Sequence, residues 1–408
     1  MTSLTIGHAS TRARVLVIAL ITAIAALAVI LPAQGEAKKK GKKKTDAKVT
    51  VMTRNVYLGA DLSPALGAAT IPEAIDGAGE IYNEIERTNF PERAVPLAKE
   101  IKKSKADLVG LQEVATWYVQ MPSDGGNPGT TGIGTDATDV KYDFLQELLD
   151  NLGGKYKVVT DQAEFEGELP ADIDGSDATG GGPLAAFGAD LDARLVMHDV
   201  ILQKKGSKVS AKKSSVMQEH YKNVFVADVG GVPVTSNRGW QSVDAKYKKN
   251  KKSKPVKFRF VNTHLEAFGD PTIKEAQAKE LTQKGGPLKT KMRTILVGDL
   301  NSALLKPHEV GDGGNSGDDG DQLAFKALKA FGMKDYGTGG DFTCCYGSAL
   351  DIMEAPFDHT IDHVLANKKA KAKRIKAFVT GNDPGEITPS GLWPSDHGGA
   401  VSKLKLKK

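Results

Sequence analysis

At six places in the chain a carboxylate, an amide or an imidazole stands where an apolar run stops. These are Asn55, Glu113, His264, Asp299 with Asn301, Asp362, and Asp396 with His397. Carboxylate and amide oxygens suit a hard divalent cation, and a histidine beside an acid suits proton transfer or the holding of an anion. A phosphoester needs both kinds of group. Its own negative charge repels a nucleophile, so its oxygens must be neutralised, a water prepared and the leaving oxygen helped away. Taken singly, each motif has a plainer reading: Gly298-Asp299-Leu300-Asn301 is a turn, and a histidine at a strand end is more often packed than reactive. Their joint occurrence in order is more specific.

The runs that carry these groups are short and rich in valine, isoleucine, leucine and phenylalanine. That pattern predicts buried strands at 49–52, 108–111, 199–202, 224–229, 257–262, 294–298, 361–365 and 400–406. Residues 91–103, with Ala94, Leu97, Ala98 and Ile101 at helical spacing, predict a helix, as do 143–152 and 323–331. Polar residues closing buried strands point to one shared edge. Asp299 and Asn301, two apart, are expected on one face of an extended backbone. Interleaved strands and helices give an α+β class. No internal repeat is evident.

In this order the motifs Thr53-Arg54-Asn55-Val56, Leu111-Gln112-Glu113, Asn262-Thr263-His264-Leu265, Gly298-Asp299-Leu300-Asn301, Ile361-Asp362-His363-Val364 and Ser395-Asp396-His397-Gly398 resemble the endonuclease/exonuclease/phosphatase superfamily. That superfamily includes deoxyribonuclease I, exonuclease III, inositol polyphosphate 5-phosphatases and secreted sphingomyelinases. The resemblance runs from about Val49 to Leu406. It implies a four-layer α/β/β/α sandwich of two packed mixed sheets with outer helices, and a site at one edge of the sheets. It also implies a metal-dependent phosphodiesterase. Glu113, with Asn55 and Asp396, would hold Mg²⁺ (or Mn²⁺ or Ca²⁺), and His264, Asp299, Asn301, Asp362 and His397 would be catalytic, with either Asp299 or His397 as the general base. The chain departs from the family at Thr360, where an arginine is usual, and at His363, where an aromatic is usual. Val56-Tyr57-Leu58 after Asn55 disfavours the abasic-site endonucleases. The substrate class is a phosphodiester of nucleic acid or phospholipid, and no protein partner is expected. The opposing reading is a non-catalytic module that holds an anionic surface through its basic N-terminal segment.

Composition bounds these readings. The length of 408 residues, with 40% hydrophobic residues and 44 glycines, fits one large sandwich domain with many turns, at 49–408. Arg12 and Arg14, an apolar run at 15–31 and small residues at Ala33, Gly35 and Ala37 predict a secretory signal over 1–37, or an uncleaved anchor. The chain is therefore expected to be secreted or extracellular-facing. Lys38–Lys44, six lysines and one glycine, lies within a disordered linker at 38–48 suited to an anionic surface.

The formal charge of +5 is uneven. Residues 1–48 and 403–408 hold 13 of the 55 basic and two of the 50 acidic residues, which leaves 42 against 48, or −6, for the body. That balance argues against a broad duplex-binding face. Six lysines between residues 246 and 255 predict a basic hairpin tip that could grip a few backbone phosphates. Gly- and Asp-rich stretches near 122–139, 164–192 and 311–321 look like surface insertions. The last of these is rich in oxygen ligands but lacks EF-hand spacing. Adjacent Cys344 and Cys345 cannot staple distant segments and are expected to be structural or intermolecular.

Overall fold

The computed structural model describes residues 46–126, 134–176, 182–303, 322–351 and 357–407. The expected signal, the Lys38–Lys44 segment and the 311–321 insertion lie outside the described residues.

Two seven-stranded sheets stack face to face. In the first, β15 (Ala372–Thr380), β16 (Gly399–Leu406), β1 (Ala47–Asn55), β2 (Leu108–Gln120), β5 (Leu191–Lys204) and β4 (Tyr156–Ala171) follow in that order, and β3 (Asp139–Asp143) pairs with β2. In the second the order is β13 (Met333–Asp335), β14 (Asp362–Asn367), β12 (Thr294–Asp299), β11 (Val256–His264), β10 (Gly239–Tyr247) and β6 (Val209–Ala211), with β7 (Met217–His220) on β10. Both sheets are mixed: β1 runs parallel to β2 and β11 parallel to β12, among antiparallel neighbours. β8 (Phe225–Val229) and β9 (Val232–Ser236) form a separate hairpin. The expected strand at 224–229 therefore exists, but outside the two main sheets.

Alternation along the strands builds the layers. On β1, Val49 and Val51 point into the inter-sheet core with Ile201, Val243, Phe258, Phe260, Ile295 and Val364. Met52 points the other way, into a core formed with helices α2 (Ile71–Thr88), α3 (Phe90–Ser104) and α4 (Phe144–Leu152); the short α1 (Ser63–Leu66) adds Ala65. On the outside of the second sheet, Val261, Leu296 and Leu365 meet Ala278 and Leu281 of α5 (Pro271–Thr282) and Phe325 and Leu328 of α6 (Leu323–Phe331). The result is the expected α/β/β/α sandwich. In α3 the buried Ala94, Leu97, Ala98 and Ile101 form one stripe, as the spacing requires. α2 starts at a Thr70–Glu73 capping box.

The sheets are tied near one edge by buried amides. Gln112 Nε2 donates to Asn262 Oδ1 at 2.6 Å, and Asn262 Nδ2 donates to the carbonyl of Leu111 at 3.0 Å. A Cβ on Gly110 would overlap the Asn262 carboxamide, so glycine is needed for this close approach.

The 164–192 stretch is not an insertion throughout. Glu164 to Ala171 continue β4, where apolar residues alternate with acids, and the chain re-enters the sheet at Leu191. Composition pointed to a loop, but alternation decided the structure. Lys246 and Lys257 do flank a hairpin tip, because Tyr247 pairs with Val256.

Candidate active site

Register assembles the site. His264 ends β11 opposite Asp299, which ends β12, and Asp299 in turn lies opposite Asp362 at the start of β14. Three functional groups thus share one row across three strands. From the other sheet, Asn55 ends β1, and Asp396 and His397 occupy the turn before β16.

Glu113 and Asn301 arrive differently from the sequence expectation. β2 does not stop at Glu113 but continues to Gln120, with a bulge against β5 between Leu111 and Val114. Glu113 itself takes a left-handed φ of 57°. A bulge re-aims a side chain that a regular strand would bury in the ladder. Asn301 lies beyond β12 with φ 44°, so a shared strand face does not explain its position beside Asp299. A tight turn places it instead: Asn301 N donates to Asp299 Oδ1 at 2.9 Å, and its Nδ2 donates to the Leu265 carbonyl at 2.9 Å.

Distances confirm one cluster. Asn55 Nδ2 donates to Glu113 Oε1 at 2.8 Å and to Asp299 Oδ2 at 3.1 Å, across the two sheets. His264 Nε2 lies 3.6 Å from Asp299 Oδ2 and 3.9 Å from Glu113 Oε1. His397 Nδ1 meets Asp362 Oδ2 at 2.9 Å, while its Nε2 faces Asp299 Oδ2 at 3.7 Å and Asp396 Oδ2 at 4.0 Å. All eight expected residues therefore converge. Asp396 is partly open to solvent, with its side chain 19% exposed. Its Oδ1 accepts from Ser395 Oγ at 3.2 Å. His363, the unusual neighbour of Asp362, points out of the site, stacks on Phe325 and contacts the carbonyl of Ser302 at 3.0 Å. The departure from the family pattern leaves the Asp362–His397 contact intact.

The electrostatics separate the two histidines. Burial, then Arg238 and His397, hold His264 well below the usual imidazole range, so it is neutral. Burial also opposes charge on His397, but Asp362, Asp396 and Asp299 overcome it and hold it well above that range. Asp299 is pushed up to about 6 by burial, against the pull of His397. Burial likewise raises Glu113 and Asp396. Buried carboxylates raised in this way are a donor set short of positive charge, and they fit a hard divalent cation. Glu113, His264 and Asp299 each offer a ligand atom within 4.8 Å of one another, and so do Asp299, Asp362 and His397.

Three arginines were missed by sequence reasoning. Arg238, just before β10, approaches His264 Nδ1 at 3.1 Å. It precedes β10, whose sequence Gly239-Trp240-Gln241-Ser242-Val243-Asp244 is too polar to give the run-ending signal that found the others. Arg54 and Arg93 are fully buried beneath the site. Arg93 Nη1 donates to the carbonyls of Val56 and Pro394 at 3.0 Å each, and Arg54 holds the His397 carbonyl and pairs with Glu100 at 3.1 Å. They fasten the loops after β1 and before β16 to α3. A buried arginine bonding backbone carbonyls leaves no pattern in sequence.

No family model matches the chain, and no curated protein matches it. Solved structures do. An endonuclease/exonuclease/phosphatase family protein from Bacteroides thetaiotaomicron superposes with a TM-score of 0.50 at 14% identity, over 89% of this chain and 100% of that one. A mannosyl-6-phosphatase of the same organism gives 0.48 at 16% identity, over 87% and 99%. TDP2 of D. rerio, complexed with a single-strand DNA product, gives 0.44 at 13% identity, over 88% and 99%. The four layers and the likeness to the first of these define an endonuclease/exonuclease/phosphatase fold, the one to which the sequence motifs point.

Proposed function

We propose that this chain is an exported, metal-dependent phosphodiesterase that hydrolyses its substrate by attack of water. The observation that carries the reading is the convergence of Asn55, Glu113, His264, Asp299, Asn301, Asp362, Asp396 and His397 from both sheets at one edge, with the two histidines held in opposite charge states. Export rests on the N-terminal sequence alone.

Glu113, with Asn55 and Asp396 beside it, would hold the ion, most simply Mg²⁺, with Mn²⁺ or Ca²⁺ as substitutes. Bound there, such an ion supplies neutralisation of phosphoryl charge. His397, kept cationic by Asp362, holds a phosphoryl oxygen. Asp299, the carboxylate poised at about 6, aligns the attacking water and takes its proton. Asn301 Nδ2 donates to a second phosphoryl oxygen. Arg238 stands at Nδ1 of neutral His264, which leaves the proton on Nε2, 3.3 Å from Asn301 Nδ2 and facing Asp299, where it would support the leaving oxygen.

Full-length protein incubated with bis(p-nitrophenyl) phosphate, plasmid DNA, RNA and phosphatidylcholine or sphingomyelin vesicles should release product from at least one of them with Mg²⁺ and none with EDTA. Near-normal turnover by folded His397→Ala would sink the assignment. No metal-dependent product from any of them would favour the binding-module reading.

A further inference from the structure

Between the sheets, behind the site, lies a polar group of side chains that the proposed chemistry does not use. Most of the inter-sheet core is apolar, but towards the catalytic edge it contains Asp199 on β5, Gln162 and Glu164 on β4, and Gln241 on β10, each at least nine-tenths buried. Gln162 is the ladder partner of Asp199, so the two side chains leave the same face of the sheet. From the facing sheet, Gln241 donates Nε2 to the Asp199 carbonyl, which brings its own Oε1 to the same place. A Cβ on Gly239 would come within 2.7 Å of Glu164 Oε2 and 2.8 Å of Gln162 Nε2, so both flank that backbone.

Six oxygens here have no hydrogen-bond partner: both of Asp199, both of Glu164, Gln162 Oε1 and Gln241 Oε1. Leaving a buried polar atom unsatisfied costs about 1–3 kcal/mol, and more when it is charged, so six in one place call for a ligand. Glu164 Oε2 lies 3.6 Å from His220 Nε2, but that nitrogen already contacts the Ala163 carbonyl at 2.8 Å. Among the described residues no lysine or arginine forms an ion pair with either carboxylate. Arg238 is engaged with His264 and with Glu266, at 3.1 and 3.8 Å. Burial, then the charge of Asp199, raises Glu164, and burial raises Asp199, in each case against the pull of Arg238, whose single positive charge does not offset the two buried acids.

We propose that Asp199, Glu164, Gln162 and Gln241 form a second site for a hard divalent cation, distinct from the one at Glu113. Two carboxylates and two amide oxygens, with no nitrogen or sulfur donor, match calcium. It accepts carboxylate and carbonyl oxygens together in flexible geometry, with water completing the shell. The ion would lock β4 and β5 against β10, and with β10 the preceding Arg238 that supports His264.

Calcium binding to the EDTA-treated, dialysed full chain tests this, read by titration calorimetry and by the calcium-induced shift in melting temperature, with no substrate present. The background is Glu113→Gln, which disables the catalytic ion site. That protein should still bind calcium and melt higher with it. Adding Asp199→Asn or Glu164→Gln should weaken calcium at least about tenfold, and adding both should abolish the shift. If Glu113→Gln binds no calcium, or if the added changes leave its affinity unaltered, the site does not exist. The first of those outcomes stands even if the multiple variants fail to fold. Neither bears on phosphodiester turnover, so failure here is separable from failure of the proposed function.

Discussion

The two ends of the sheets are chemical opposites. At one end β1, β11 and β12 finish on Asn55, His264 and Asp299, and the exposed surface narrows to buried acids and histidines. At the other, the β10–β11 turn carries Lys248, Lys249, Lys251, Lys252 and Lys254, all exposed. Beside it β16 ends with Lys403 and Lys405, followed by Lys407, and its Leu406 pairs with the start of β1 at Ala47. The linker that precedes β1 therefore joins the chain at the lysine end. β11 spans nine residues from the hairpin to His264. At ~3.3 Å per residue the two regions are roughly 26 Å or more apart, several Debye lengths at physiological salt. Any backbone phosphates the basic hairpin grips would therefore lie well away from the scissile bond. The proposed chemistry and any adhesion through these lysines would thus belong to opposite ends of one scaffold.

The comparison breaks if the acidic end is not where turnover resides. Glu113→Gln, His264→Ala and His397→Ala should each lower metal-dependent phosphodiester cleavage roughly 10²–10⁴-fold while the far-ultraviolet circular dichroism stays native. Asp362→Asn should cost less, roughly 10–100-fold, because Asp362 acts through His397. The loss should fall in kcat rather than KM, with the pH profile displaced to lower pH as His397 loses the carboxylate that sustains its charge. An unchanged profile would detach Asp362 from the mechanism.

A third consequence concerns stability. Asp299 is raised to about 6, and Glu113, Asp396, Glu164 and Asp199 are raised as well. A carboxylate raised on folding binds more protons in the native state, so it contributes stability at low pH that is lost as pH rises through its folded value. In EDTA the urea midpoint should therefore fall between about pH 4 and about pH 7, and Asp299→Asn should flatten the fall. Mg²⁺, which replaces the missing positive charge, should stabilise more at the upper end of that window. A midpoint that rises with pH in EDTA would contradict the buried-acid account.

How far this polarity could be read from sequence differs between its parts. Strand ends were legible because a polar residue closing a run such as Ile295-Leu296-Val297-Gly298-Asp299 breaks a pattern that burial otherwise enforces. Helix α3 was legible for the same reason, its stripe standing out at Ala94, Leu97, Ala98 and Ile101. β4 was not. Its acids Glu164 and Glu168 are buried, which inverts the rule that charge marks the surface. The bulge at Glu113 and the turn at Asn301 were also hidden, since a positive φ at a non-glycine residue has no composition signature. That all eight residues meet follows from pairing register between strands distant in the chain, which a single sequence does not encode locally.

The smallest expected effect on turnover is at the lysine end, and it sharpens the comparison most. Replacing Lys248, Lys249, Lys251 and Lys252 with glutamine removes four exposed charges from a hairpin tip and no packing, since Tyr247 and Val256 supply the buried pair below it. Cleavage of a small soluble phosphodiester should change by less than about twofold, because salt screens charges at this separation. Retention on anionic vesicles should weaken, at about 1 kcal/mol per lysine that reaches the surface, and the wild-type advantage should vanish in high salt. A matched fall in turnover on the small substrate would show that the two ends are coupled. Unchanged turnover with lost retention would establish that the lysine end holds the protein to a surface while the acidic edge faces outward to its substrate.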